Sequence, residues 1–138
     1  MTFDDVQGKL DSLRRNLEFL DKIPQESYKE FSGDFRNVTS AIYLLQTTIQ
    51  ALIDLGSFLV ARRGLETPRR SQEVFERLED AGLLPAGTAD RCIPIVGFRN
   101  RVVHLYDKVD DRAVYDSLTQ NRQDLIEILD LLLAIEDE

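Results

Sequence analysis

Residues 34–62 read DFRNVTSAIYLLQTTIQALIDLGSFLVAR, and this stretch decides the fold. Val38, Ile42, Leu45, Ile49, Leu52 and Leu59 recur at helical spacing, and Gly56 fills the place where the next large apolar side chain would fall. In a helix, positions three and four residues apart share a face, so these residues form one apolar stripe. At 3.6 residues per turn it runs for about seven turns. A small residue within a long stripe predicts close approach to a long neighbouring helix. The stripe reads as a core seam rather than a cofactor site.

The same period continues outward. Phe3, Val6, Leu10, Leu13, Leu17 and Leu20 predict a helix over 3–22, which Pro24 terminates. Gly64 stands where a left-handed cap residue ends the long helix. Thr67-Pro68 offers an N-cap and an N1 proline for a helix over 68–81, with Val74, Phe75 and Leu78 inward and Gly82 as its stop. A loop through Pro85 and Gly87 leads to a helical segment over 89–106, in which Pro94 must start, kink or locally break the helix. Asp110 or Asp111 caps a last helix over 111–135, whose stripe is Val114, Leu118, Leu125, Ile128, Leu132 and Ile135. No period-2 segment is bounded by hairpin signals. The expectation is an all-α antiparallel bundle of about five helices, forming a single domain over residues 1–138.

Bulk properties narrow the function classes. The acidic start, Met1-Thr2-Phe3-Asp4-Asp5, lacks the basic and apolar regions of a signal peptide, and no uninterrupted apolar run approaches the ~18 residues of a membrane span. Cys92 is the lone cysteine, so no intrachain disulfide forms and a thiolate metal site is disfavoured. These features point to the cytoplasm. The net charge of −8 argues against indiscriminate binding to nucleic acid or anionic membranes. The charge is uneven. Residues 61–112 hold ten Lys/Arg against nine Asp/Glu, and the rest hold seven against sixteen. Arg62-Arg63, Arg69-Arg70, Arg99 and Arg101 make a phosphate-contacting or partner-contacting surface conceivable in the middle of the chain, although on charge alone an ordinary solvated surface is the better account.

His104 is the only histidine, and a lone histidine is more often structural than functional. Its surroundings change the weighing. Arg99-Asn100-Arg101-Val102-Val103-His104-Leu105-Tyr106 crowds five polar or titratable side chains into eight residues, with Val102, Val103 and Leu105 available to anchor them. This string resembles the Arg-polar-x-x-x-His motif of HEPN ribonucleases, and the trailing Tyr106 resembles the HepT-type branch. The resemblance extends to Ala41-Ile42 through Ile53-Asp54-Leu55, to Gly82-Leu83-Leu84 and to Val96-Gly97-Phe98. Pro94 in the motif helix departs from the pattern.

The resemblance implies a HEPN-like homodimer, with Arg99 and His104 of both chains lining a shared cleft. It implies a metal-independent endoribonuclease toxin of a type VII-like toxin–antitoxin pair. The partner would be an MntA-type nucleotidyltransferase antitoxin, and Tyr106 would accept AMP from it. Adding phosphodiester charge at Tyr106 beside His104 and Arg99 would compete with RNA phosphate.

The residue types suit that chemistry. RNA carries its own nucleophile, the 2′-OH. Histidine titrates near neutrality and serves as base or acid. Arginine keeps its charge and presents a fork of donors to phosphate oxygens. Asn100 and Arg101 support the site. The scheme calls for no metal and no cofactor, and no His/Cys/carboxylate cluster suggests one. At about 100° per residue, Asn100 and His104 share a face while Arg99 and His104 lie about 140° apart. One straight helix therefore gathers the group poorly. A long Arg side chain, a bend near Pro94 or a second copy of the helix would repair this.

Asp54, within an apolar stretch, either orients an arginine of the motif helix or is a plain surface residue. Cys92 reads as a packing residue. Two other readings stand beside the ribonuclease: a non-catalytic helical binding subunit of a minimal nucleotidyltransferase, which the net charge favours mildly, and a plain structural bundle, which leaves the clustered motif unexplained.

Overall fold

The long central helix, α3 (Phe35–Arg62), touches every other helix of the fold. The computed structural model describes residues 3–104 and 110–136, the side chains of 3, 103, 104 and 136 excepted. The remaining helices are α1 (Phe3–Lys22), α2 (Tyr28–Ser32), α4 (Ser71–Asp80), α5 (Thr88–His104), α6 (Asp111–Gln120) and α7 (Arg122–Glu136). Among the described residues there is no strand.

The seam read from the sequence is buried at Val38, Leu45, Ile49, Leu52 and Leu59. Burial spreads well beyond it, to Ala41, Leu44, Thr48, Ala51, Ile53, Leu55 and Val60. A helix buried nearly all round is the axis of a bundle rather than one wall of it. By length and composition α3 is apolar enough to cross a membrane, yet 56% of that window is buried inside the protein, as a core helix requires. Gly56 permits the α3–α4 crossing, since a Cβ there would stand 2.6 Å from Val74 Cγ1. Gly56→Ala should therefore lose about 1–2 kcal/mol, overpacking outweighing the helix-propensity gain. Adding Val74→Ala should recover part of that loss in chemical denaturation. A stabilised Gly56→Ala chain would contradict the close crossing.

Two helix stops match their expected residues. After α3, Gly64 at φ +67 lets Leu65 N–H reach the Val60 carbonyl and Gly64 N–H the Ala61 carbonyl. After α4, Gly82 at φ +76 repeats the pattern onto Leu78 and Glu79. Both are Schellman closures, which satisfy the last free carbonyls of a helix.

Three expectations need correction, and the helix count rises from about five to seven among the described residues. The first is α2, which was not foreseen. Ser27 caps it, its hydroxyl accepting from Glu30 N–H at 3.1 Å, and the signal was the Ser-x-x-Glu of a capping box. The second is the start of α4, which falls at Ser71 rather than Pro68. Arg70 is its cap residue and makes no side-chain cap bond; instead Glu73 accepts from Arg69 N–H at 3.2 Å and from Arg77 Nη2 at 3.0 Å. Burial works against the Glu73 charge, but the Arg69 N–H and the Arg77 and Arg70 charges outweigh it and hold the carboxyl below its usual range. The stabilisation this supplies is complete at neutral pH and is lost in acid as the carboxyl protonates. The third is the last helix, which is two: α6 and α7 meet at Asn121, a poor helix former. Thr119 Oγ1 donates to the Tyr115 carbonyl at 2.9 Å, a back-bond that bends helices. The expected stripe is nonetheless buried along its whole length, at Val114, Leu118, Leu125, Ile128, Leu132 and Ile135. Asp110, rather than Asp111, caps α6 through Ala113 N–H at 2.7 Å.

Candidate active site

α5 carries the motif and is fastened at both ends of its described length. At its start, Ala89 N–H donates to Glu79 Oε1 at 2.7 Å and the Ala89 carbonyl accepts from Gln72 Nε2 at 2.7 Å, both from α4. Arg91 pairs with Asp124 at 2.8 Å and with Glu127, joining α5 to α7. Cys92, Ile95, Val96, Phe98 and Val102 face the core. Cys92 is the expected packing residue. Burial pushes its thiol up to about 12, the opposing Arg91 charge being too weak to offset burial and the Asp124 and Glu79 charges. Such a thiol is inert at neutral pH.

Pro94 neither starts nor breaks α5, which is helical from Thr88 to His104. A proline removes the bond to the carbonyl four residues back, here Asp90. Pro94 and Asp90 are both exposed, so water replaces the lost donor. Pro94 also precedes the whole motif, so any bend there carries Arg99 and His104 along together.

Arg99 is half-buried and held on two sides. Its Nε donates to Gln50 Oε1 on α3 at 2.9 Å, and its Nη1 donates to Asn100 Oδ1 at 3.0 Å. Nη2 makes no protein hydrogen bond among the described residues. Asn100 is exposed beside it. Arg101 is exposed too, its guanidinium 6.0 Å from the Phe98 ring centroid. The backbone of His104 closes α5, while its side chain and all of Tyr106 lie outside the described residues. The geometry thus brings Arg99 and Asn100 together and sets Arg101 apart on the neighbouring surface.

Asp54 does not pair directly with an arginine of the motif helix. Its Oδ2 meets Lys9 Nζ of α1 at 2.8 Å and its Oδ1 accepts from Gln50 Nε2 at 2.9 Å, so it reaches Arg99 through Gln50. Gln50 and Lys9 were missed in the sequence. The available signal was Gln50-x-x-x-Asp54, two polar residues on one helix face to either side of Ala51-Leu52-Ile53. Gln50, Asp54 and Lys9 also line a groove of about 630 Å³ between α1 and α3, with Asp4, Asp5 and Ser12. Of the other arginines, Arg63 Nη2 donates to the Ile135 carbonyl of α7 at 3.0 Å, a structural use. Arg62 lies over the Phe58 ring, and Arg70 pairs with Glu73 at 3.6 Å. Among the described residues no three His, Cys, Asp or Glu side chains cluster as metal ligands.

The bundle of helices around α3, with Arg99 and Asn100 side by side on α5, is the fold of solved toxin structures. A tri-AMPylated Shewanella oneidensis HEPN toxin, solved in complex with an MNT antitoxin, shares this fold with a TM-score of 0.83 over 97% of this chain and 99% of that one, at 24% identity. A sequence model described as "Ribonuclease HepT-like" matches residues 13–132, and the chain belongs to that family. It is 26% identical to a tRNA nuclease HepT of Aphanizomenon flos-aquae over 114 residues, 83% of this chain and 78% of that one. It is 24% identical to an mRNA nuclease HepT of Shewanella oneidensis over 131 residues, 95% of this chain and 98% of that one. The all-α fold expected from periodicity and the HepT-like family expected from the motif and its flanking segments are borne out.

Proposed function

We propose that the chain is a cytoplasmic, metal-independent endoribonuclease toxin, one HepT-like domain over residues 1–138, that works as a homodimer. The observation that carries this reading is Arg99, clamped at Nε and Nη1 with Nη2 unbonded among the described residues, five residues before the only histidine of the chain. In this reaction His104 takes the proton from a 2′-OH, and the 2′-oxygen attacks the adjacent phosphorus. The P–O5′ bond breaks, and the 5′-oxygen leaves with a proton supplied by water. Arg99 and Asn100 hold the phosphate, Arg99 stabilises the extra negative charge as it develops, and Arg101 supports the RNA strand.

The dimer is supported by elimination. The positions of Arg99 and His104 lie about 140° apart around a helix with no break between them. The Arg99 side chain is tied toward α3, and the proline lies upstream of both residues. Pairing across a two-fold axis, as the resemblance implies, would bring them together. The outer face of α5 suits that contact: Ile93 is 53% exposed, and Pro94 and the half-exposed Gly97 lead into Asn100 and Arg101. A monomeric solution mass at micromolar concentration would contradict the dimer.

The purified chain should cleave RNA in EDTA, leaving 2′,3′-cyclic phosphate and 5′-hydroxyl ends. Absence of cleavage with or without divalent cations would favour the second reading, a non-catalytic helical binding subunit of a nucleotidyltransferase, which the net charge of −8 supports. The proposed partner is an MntA-type antitoxin that silences the site by transferring AMP to Tyr106. Tyr106→Phe should keep growth arrest and lose silencing on co-expression with that enzyme. Full neutralisation with AMP attached elsewhere would reject Tyr106 as the acceptor.

A further inference from the structure

We infer that Gln50 is the positioning residue of Arg99, and that it works as the middle of a polar chain crossing three helices, Lys9–Asp54–Gln50–Arg99. This deepens the ribonuclease reading and rests on Arg99 holding phosphate. The links are 2.8 Å from Lys9 Nζ to Asp54 Oδ2, 2.9 Å from Gln50 Nε2 to Asp54 Oδ1 and 2.9 Å from Arg99 Nε to Gln50 Oε1. Their direction is fixed by chemistry. A carboxylate only accepts and a guanidinium only donates, so the amide lying between them has one satisfying orientation. Asp54 locks Gln50 Nε2, which turns Oε1 toward Arg99. Lys9 in turn holds the carboxylate from α1.

The neutrality of the middle link matters. An aspartate bonded directly to Arg99 would fix it equally well, but it would cancel the charge that must meet a phosphate. Gln50 fixes the guanidinium through one N–H and leaves it a full cation. The carboxylate sits one side chain further back, where Lys9 balances it. All three linking side chains are partly buried, so the bonds are shielded from bulk water more than surface pairs are. The chain therefore supplies what a phosphate-holding arginine needs, a fixed plane with its charge intact.

The test is a double-mutant cycle on RNA cleavage by the full-length protein in EDTA. Gln50→Met keeps the length and packing of the side chain and removes both hydrogen bonds. It should lower kcat about tenfold with KM changed less than twofold, because binding at remote contacts persists while charge stabilisation in the transition state is misaligned. In an Arg99→Ala background the same change should have less than a twofold effect. Equal factors in both backgrounds would mean a general structural role and would overturn the inference, as would Gln50→Met with wild-type kcat. If Arg99→Ala itself cleaves like wild type, the phosphate-holding reading fails and the inference with it. Inactive Arg99→Ala beside fully active Gln50→Met rejects the inference alone. Should Gln50→Met not fold, Asp54→Asn carries the same cycle, with a smaller loss expected in the wild-type background and none in Arg99→Ala.

Discussion

His104→Ala should lower RNA cleavage by the isolated chain about 100- to 10,000-fold and abolish growth arrest, while the protein stays folded. The size follows from the role. A base that removes the 2′-OH proton in the transition state contributes in that range, and the chain has no second histidine to replace it. The fold should tolerate the change, because the core contacts of α5 come from Cys92, Ile95, Val96, Phe98 and Val102. Residual cleavage should reflect Arg99 and Asn100, which still hold the phosphate. Rates in EDTA and thermal melts of both proteins check this together. Equal rates from two folded proteins would remove His104 from the chemistry.

The largest stability effect should come from Phe98→Ala. Phe98 is fully buried on α5, one residue before Arg99, within the cluster that joins this helix to its neighbours. Truncating a buried phenylalanine costs about 3–5 kcal/mol, from lost transfer energy and from the cavity left behind. Domains hold about 5–15 kcal/mol in total, so this is a large share, equivalent to roughly 10–20 °C in Tm. Activity should fall as well, since the cavity loosens the seat of Arg99. A loss under about 1 kcal/mol would mean that α5 is not anchored through Phe98.

The contrast between these two residues explains what the sequence makes legible. The stripes of α1, α3, α4, α6 and α7 follow from periodicity, because burial imposes the 3.6-residue spacing on a helix that has a core to face, whereas Phe98 entered only through the family resemblance. The two glycine stops are legible for a similar reason, a left-handed backbone at Gly64 and Gly82. The break at Asn121 is not, since the apolar stripe runs through it without losing phase and only a single residue changes. Ser27 and Glu30 did announce α2, but a five-residue helix has too few apolar positions for a period to be seen.

Arg99, Asn100, Arg101, His104 and Tyr106 stand out because they are adjacent in the sequence. Gln50 and Lys9 do not, because their relation to Arg99 exists only once α1, α3 and α5 have packed. Asp54 was noticed as a polar residue in an apolar stretch, and its link to the motif helix is one side chain longer than expected. Side-chain relays of this kind connect residues 45 and 49 positions apart, beyond the reach of any local pattern.

The central claim is that Arg99 of one chain works with His104 of the other. Co-expressing Arg99→Ala and His104→Ala chains under two affinity tags isolates the mixed dimer, whose RNA cleavage in EDTA is then measured. A two-fold dimer of this kind would retain one intact Arg99–His104 pair, and the account predicts about half of wild-type activity from two parents that each retain only residual cleavage. A mixed dimer as inactive as either parent would place both residues in the same chain and contradict it.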